Sequence, residues 1–371
     1  LWLLLKPKLV RGAKCYRPCN PIAGACMAEP KYWNNATHPL SLGLRPVSWA
    51  YHLLEASNRF FVKPQHPGKP VICVGNLTAG GAGKTPVVRF LAEHFSASGR
   101  QPAILSRGYG GTLSDKSSAV RVDSHCHSAK EVGDEPLMLA ADWPVYICPD
   151  RFASLRAAVA DGAHIALKDD GFQNPSMAHH FNLVVIDGAS GIGNGQLLPA
   201  GPLRQALPIA LAKADALLVM GAATHDSFAD LLPACQAHDV AVFYGRTLAT
   251  PPALPSQEKP FAYCGIAKPE KFLVSLAACD VALAGHRAFA DHHHYTEADA
   301  VDLLRQAQIF ITTEKDMARL KYATEGSALK TLAEQSHVLK INVEIDEADK
   351  LTALIDKTID ARQANQSYKS Y

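Results

Sequence analysis

From residue 70 onward, short apolar runs alternate with stretches of helical periodicity. PVICVG (70–75), QPAILS (101–106), PVYIC (144–148), HIALKD (164–169), NLVVID (182–187), ALLVM (216–220) and VAVFYG (240–245) have the length and apolar content of buried strands. Helix-length segments at 84–99, 132–142, 150–162 and 225–237 separate several of them. That alternation predicts an α/β fold built on a mostly parallel sheet with helices on both faces, over 66–249. TPPALPSQEKP (250–260), with its four prolines, then reads as a linker. Beyond it FAYCGI, VALAGHRAF, QIFITT and HVLKINV alternate with further helices and predict a smaller C-terminal α/β lobe over 261–361. The polar tail 362–371 is expected to fray.

Ahead of the sheet, residues 46–61 (PVSWAYHLLEASNRFF) place apolar side chains at 47, 49, 50, 53, 54, 60 and 61, close to helical spacing. Arg45, Glu55 and Arg59 interrupt the run too often for a membrane span of about 20 residues. Trp49, Tyr51 and the basic flanks Arg45, Arg59 and Lys63 suit an amphipathic helix at a lipid interface, over 38–65. The same periodicity equally suits a helix packed on its own protein. Residues 1–37 read as an N-terminal extension. The first Met is Met27, and residues 1–26 are expected to be an upstream extension or a misassigned start; LWLLL is too short for a signal-peptide core.

Composition fits this picture. At 371 residues and 48% hydrophobic content, the chain is long enough for two cores. A formal net charge of +2 gives no ground for a nucleic-acid partner. Residues 1–65 hold nine Lys/Arg against Glu29 and Glu55, a surplus of +7, so the remainder carries −5. A basic front on a mildly acidic body points to an anionic surface near the N-terminus, a membrane among the candidates. The nine cysteines form no CxxC pair, which leaves neither a zinc ribbon nor a thioredoxin-type site and suits reduced thiols.

The chemistry begins at VGNLTAGGAGKTPVV (74–88), a strand, a Gly-rich turn and a helix from about Lys84. Glycines 80, 81 and 83 allow backbone N–H groups to turn inward around phosphate oxygens, and the helix start adds a positive dipole end. The cradle comprises Thr78, Ala79, Gly80, Gly81, Ala82, Gly83, Lys84 and Thr85. Lys84 supplies a mobile charge for the β- and γ-phosphates, and Thr85 a hydroxyl for Mg²⁺. The strict G-x4-G-K-[ST] pattern needs Gly at 78, where this chain has Thr78. In HIALKDDGFQN an apolar strand ends in Asp169 and Asp170, acids that suit a magnesium shell beside a phosphate loop, with Gln173 in reach of it.

GNLTAGGAGKTP, LSRGYGG, GDEP, DDGFQ, GNGQLLPAGPLR, ADHHHYT and TTEKD occur in this order, and together they resemble the tetraacyldisaccharide 4′-kinase family over about residues 38–345. The family also uses the relaxed loop with Thr at this position. The resemblance implies a P-loop NTPase-like kinase with ATP and Mg²⁺ as cofactors, acting on the lipid A precursor of Gram-negative bacteria. The γ-phosphoryl group would pass to the 4′-hydroxyl of a tetraacylated glucosamine disaccharide 1-phosphate, giving lipid IVA. The protein is then expected at the cytoplasmic face of the inner membrane, peripheral or monotopic, with the 38–65 helix at the bilayer.

On this reading Asp134 of GDEP is the general base and His292, the first His of DHHHYT, orients it or tunes its pKa. From the residues alone, a lone GDEP reads better as a helix N-cap. Consecutive histidines 292–294 do not all point one way, which disfavours a single-metal cage. His125, His127, His179 and His180 read as surface residues. Arg107 and Tyr109 on LSRGYGG, Arg151 after another strand and Arg204 closing PAGPLR are the expected substrate contacts. The family usually has His where this chain has Asn174 and an acid where it has Gln205, which retain hydrogen bonding without charge; both count as candidate contacts. TTEKD starts a helix and either helps join the lobes or simply caps it. Two other readings fit the same residues: a soluble P-loop kinase or GTPase with a water-soluble partner, and a nucleotide-binding paralogue without turnover.

Overall fold

The computed structural model describes residues 30–62, 64–115, 117–254 and 258–367; the side chains of 54–61 and 365–367 are excluded. The expectations for residues 1–29, for Lys63 and for the apolar side chains of Leu54, Phe60 and Phe61 therefore lie outside the described set. A helix α1 (Pro39–Phe61) leads into alternating elements: β1 (Val71–Gly75), α2 (Lys84–Ala97), β2 (Pro102–Ser106), β3 (Val120–Arg121), α3 (Ala129–Val132), α4 (Asp134–Leu139) and β4 (Val145–Ile147). There follow α5 (Arg151–Ala160), β5 (Ile165–Asp169), β6 (Phe181–Asp187), α6 (Leu207–Leu211), β7 (Ala216–Met220), α7 (Phe228–Ala237) and β8 (Ala241–Thr250). The remainder comprises β9 (Phe261–Cys264), α8 (Pro269–Ala278), β10 (Gly285–Ala288), α9 (Glu297–Leu304), β11 (Phe310–Thr313), α10 (Glu314–Leu320), α11 (Ala328–Glu334), β12 (Ser336–Ile345) and α12 (Ala348–Ser367).

Contacts divide the chain into two units: Ala249–Lys340, and the described residues within Met27–Leu248 and Ile341–Tyr371. The larger unit carries strands in the order β8-β7-β6-β1-β5-β2-β4-β3, parallel throughout except for β3 against β4. β1, β2, β5, β6 and β7 are buried along their whole length, as strands covered on both faces must be, so their sequences read as unbroken apolar runs. The register matters most at β1. Val74 pairs with Asp169 on one side and Leu183 on the other, so the phosphate-loop turn and the Asp169–Asp170 turn leave the sheet side by side.

In the smaller unit β10, β9, β11 and β12 run parallel in that order, over a core of Tyr263, Tyr295, Leu303, Phe310 and Leu332. Tyr263 meets Tyr295 and Phe310 edge-on at 5.5 and 6.1 Å between ring centroids, the favoured aromatic geometry. The division differs from the 261–361 boundary read from the sequence, because α12 packs with the larger unit. The tail does not fray from 362: α12 continues to Ser367, and Arg362 donates to Asp215 Oδ1 at 2.6 Å and Oδ2 at 3.1 Å and to the His180 carbonyl at 3.0 Å. Among the described residues no helix is long and apolar enough to cross a membrane.

Candidate functional site

The phosphate loop is shaped from beneath before any ligand enters. At Gly75 an added Cβ would lie 2.4 Å from Phe172 Cβ, so the end of β1 accepts only glycine against the turn after β5. Asn76, fully buried, donates through Nδ2 to the carbonyls of Thr78 (2.7 Å) and Gly80 (3.3 Å) and thereby coils the loop around itself. Gly80 (φ 114°) and Gly83 (φ 78°) take backbone angles that other residues adopt only under strain. Thr78 is not among the left-handed residues, which is why threonine replaces the usual glycine at no backbone cost. Gly83 precedes α2 without a capping side chain, leaving the first-turn N–H groups, beginning at Lys84 and the buried Thr85, to face an anion.

Across from it, Asp170 sits in the left-handed region (φ 60°), its N–H bonded to the Val74 carbonyl at 3.0 Å and its Oδ1 accepting from Gly171 N–H at 2.8 Å. The carboxylate lies 3.5 Å from Lys84 Nζ and 3.3 Å from Arg204 Nη1. Desolvation acts to raise its pKa, but Lys84, Arg204 and the Gly171 N–H outweigh it and hold the group below the ordinary aspartate value. Asp169 is buried at the end of β5. Gln173 Nε2 donates to the Asn76 carbonyl at 2.7 Å, so the amide nitrogen expected near a metal shell serves to brace the loop. The donor set fits Mg²⁺ bound chiefly through water and phosphate: one hydroxyl and two neighbouring carboxylates, one of them held ionised. Among the described residues no three His, Cys, Asp or Glu side chains form a dedicated metal cage.

Two loops form the other wall. LSRGYGG and GDEP pack backbone against backbone: Thr112 and Leu113 donate to the Lys130 and Glu131 carbonyls at 3.0 and 2.8 Å. A Cβ at Gly111 would lie 2.6 Å from the Glu131 carbonyl, and one at Gly133 2.8 Å from that of Tyr109. This contact places Asp134 beside the Arg107–Tyr109 loop. Asp134 opens α4 as its first helical residue, while Gly133 occupies the N-cap, so the capping alternative does not describe it. The residue is 6% exposed, with Oδ1 accepting from Glu135 N–H at 2.9 Å. Tyr109 projects, 77% exposed, from the same loop. Arg151 is buried behind the Asp150 cap of α5 and donates to the Cys148 carbonyl. Burial, then the neighbouring Arg107 charge, pulls its pKa down, while Asp169 and Asp170 act in the opposite direction. Its Nε has no hydrogen-bond partner among the described residues, an orphaned donor suited to an anionic ligand.

Three expected contacts are placed otherwise. Arg204 turns onto Asp170 and donates its backbone N–H to the Leu77 carbonyl at 2.9 Å, joining the phosphate loop. Gln205 is 1% exposed. Asn174 closes a local turn, its Oδ1 accepting from Ser176 N–H at 2.9 Å. His180 is not on the surface: it is buried, with Nδ1 accepting from Val71 N–H at 3.2 Å. His179 bonds Asn182 Oδ1 at 2.7 Å and Lys168 Nζ at 3.1 Å, and burial followed by the Lys168 charge lowers its pKa to about 3. The buried Lys168 also donates to the Gly171 carbonyl at 3.2 Å, a support of the acidic turn that an apolar run concealed from sequence reading. Asn76 was visible only as part of the quoted motif.

In the smaller unit, His292 has φ 56° and donates its N–H to the Gly265 carbonyl at 3.1 Å and to Asp291 Oδ1 at 3.0 Å, with its ring exposed. His293 instead turns inward, 3.0 Å from Asp299 Oδ2 and stacked on Phe289. TTEKD provides more than a cap. Thr313 caps α10, and the fully buried Asp316 accepts from Gly265 N–H (3.0 Å), Tyr295 OH (2.9 Å), Thr313 Oγ1 (2.6 Å) and Arg319 Nη1 (2.6 Å). The DHHHYT turn is thus tied to the end of β9 through one carboxylate. Asp316→Ala is expected to destabilise this unit by about 3–5 kcal/mol, because Arg319 is left buried without its counter-charge. A denaturant titration following this unit checks it, and a change within about 0.5 kcal/mol would contradict it.

The profile of the family described as LpxK, tetraacyldisaccharide-1-P 4′-kinase, matches residues 40–360. The chain is 41% identical over 343 residues to the tetraacyldisaccharide 4′-kinase of Parvibaculum lavamentivorans, covering 90% of this chain and 98% of that protein. It is 42% identical over 318 residues to the enzyme of the same name from Nitrobacter hamburgensis, with 81% and 90% covered. Among solved structures it resembles LpxK from Aquifex aeolicus, determined in complex with ATP, at a TM-score of 0.66 and 23% identity over 86% of this chain and 99% of that one; at this identity the likeness speaks for the fold.

Proposed function

The chain belongs to the tetraacyldisaccharide-1-P 4′-kinase family, and on that premise we propose that it is a lipid kinase that moves the γ-phosphoryl group of ATP to the 4′-hydroxyl of a tetraacylated glucosamine disaccharide 1-phosphate. The observation that supports the reading best is the Lys84–Asp170–Arg204 cluster at the mouth of a loop already coiled for phosphate. Backbone N–H groups from Gly80 to Thr85, with Lys84, hold the triphosphate. The Thr85 hydroxyl and the Asp169 and Asp170 carboxylates would hold Mg²⁺, which when bound neutralises phosphate charge. Asp134 accepts the proton of the sugar hydroxyl as that oxygen bonds to the γ-phosphorus and the bond to ADP breaks. Arg107, Tyr109 and Arg151 would contact the acceptor, a role that the unpartnered Arg151 Nε supports as a donor for an anionic oxygen. Initial rates with γ-labelled ATP and detergent-dispersed acylated disaccharide 1-phosphate test the reading. A water-soluble acceptor used in preference, or binding of ATP without transfer, would replace it with one of the two rival readings.

For a soluble protein, α1 is inside out. Its packed face is serine, Ser41 at 0% and Ser48 at 3% exposure, seven residues and two turns apart. Leu40, Leu42, Val47, Trp49, Tyr51 and Leu53 point to solvent instead, Trp49 at 74%. An apolar face turned away from the protein supports seating at a membrane surface, which the family reading would place at the cytoplasmic face of the inner membrane. Replacing Trp49 and Leu53 together by Ala is expected to weaken sedimentation with anionic vesicles at least about tenfold. Undiminished sedimentation of that double variant would contradict the membrane role.

A further inference from the structure

The buried face of α1 has a task of its own. Ser48 Oγ donates to the Leu197 carbonyl at 2.9 Å and accepts from Ala200 N–H at 3.0 Å. Ser41 Oγ donates to the Ala200 carbonyl at 2.9 Å. Asn194 Nδ2 gathers Ser41 Oγ (3.1 Å), the Ala200 carbonyl (3.0 Å) and the Tyr32 carbonyl (3.1 Å), and Trp33 Nε1 reaches the Pro199 carbonyl at 3.2 Å. The serine hydroxyls, Trp33 and one of the Asn194 bonds converge on residues 197–200, and Asn194 ties Ser41 and Tyr32 into the same network. The segment then folds back on itself, Leu198 N–H to the Leu203 carbonyl at 2.9 Å and Gly201 N–H to the Leu197 carbonyl at 2.9 Å. Residues 202–204 then meet the phosphate loop: Ala79 N–H donates to the Pro202 carbonyl at 2.8 Å, Thr78 bridges to Leu203, and Arg204 N–H donates to the Leu77 carbonyl at 2.9 Å. Arg204 carries the guanidinium that meets Asp170.

We propose that α1 is a structural part of the nucleotide site, with Ser41 and Ser48 acting as positioning residues that hold 197–200 so that 202–204 fix the phosphate loop and aim Arg204 at Asp170. The inference rests on the kinase reading above and extends it: the helix that meets the lipid surface is hydrogen-bonded, through one short loop, to the groups that hold the phosphate donor. Hydroxyls are required on this face because they pair with carbonyls and an N–H that α1 itself buries. An apolar face would leave those groups unsatisfied.

The test uses the full chain in detergent and a fluorescent ATP analogue with Mg²⁺ and no acceptor, so that neither membrane seating nor transfer enters the reading. Ser48→Ala is expected to weaken analogue binding about tenfold, Ser41→Ala by less, and Ser48→Thr, which keeps the hydroxyl, to restore it. In the transfer assay the same Ala variants raise KM for ATP and leave KM for the lipid unchanged. Unaltered analogue affinity in both Ala variants overturns the proposal, and so does a loss that Ser48→Thr fails to repair. A protein that bound the analogue as expected yet phosphorylated no lipid sugar would contradict the kinase reading and leave this inference standing.

Discussion

Lys84→Met lowers kcat by about 10³-fold or more, with little change in thermal stability. The size follows from what the side chain neutralises. Cations aimed at charge that develops on a transferred phosphoryl group are worth about 10²–10⁵ in rate, because they act from a fixed position and need no reorganisation. Lys84 is so placed: it opens α2, it is 15% exposed, and its ammonium already faces the Asp170 carboxylate at 3.5 Å. Methionine keeps the length and apolar stem of lysine without the charge. Arg204 remains on Asp170 in the variant, so the acidic turn is not left without a counter-charge. Single-turnover rates with saturating ATP measure the effect, and retention of full transfer would show that the phosphate is held elsewhere.

Asp134→Ala is expected to lower kcat by about 10²–10⁴-fold, the usual worth of a positioned general base. KM for ATP should hold, since Asp134 belongs to the wall formed by LSRGYGG and GDEP and not to the phosphate loop. Asp134→Asn, which keeps the acceptor from Glu135 N–H but cannot take a proton, separates positioning from proton transfer. Loss of rate in both variants assigns the base. Full activity in Asp134→Asn would reduce the residue to a structural one.

Much of the candidate site's geometry was legible because its motifs are local in sequence. Phosphate binding needs a strand, glycines and a helix start within a dozen residues, and the stretch at 74–88 spells them in order. The acidic pair lies at a strand end, and the parallel register then carries it to the phosphate loop, Val74 opposite Asp169. What sequence could not show was the side toward which each residue turns. Hydrophobic periodicity locates the apolar stripe of α1 but not the protein, and here the protein lies on the serine side. His180 read as a surface residue, yet it is buried and its ring accepts from the Val71 N–H, while Lys168, hidden in an apolar strand pattern, is held by the Gly171 carbonyl and His179. The polar tail looked unanchored because the partner of Arg362, Asp215, lies 147 residues away in the chain. The domain boundary was missed for a similar reason: β12 reads as one uninterrupted strand pattern, while the division falls inside it, after Lys340. Gln205, noted as a departure from the family pattern, is buried, a depth that its polar side chain does not announce.

The most direct measurement is the position of the phosphate on the product. The protein is incubated with ATP, Mg²⁺ and acylated disaccharide 1-phosphate, and the lipid is analysed by phosphorus NMR and tandem mass spectrometry. The account requires one new phosphomonoester on the 4′-oxygen, formed in step with ADP and absent with Lys84→Met. ATP consumed with phosphate released to water, or a phosphate found at any other position of the sugar, would contradict it.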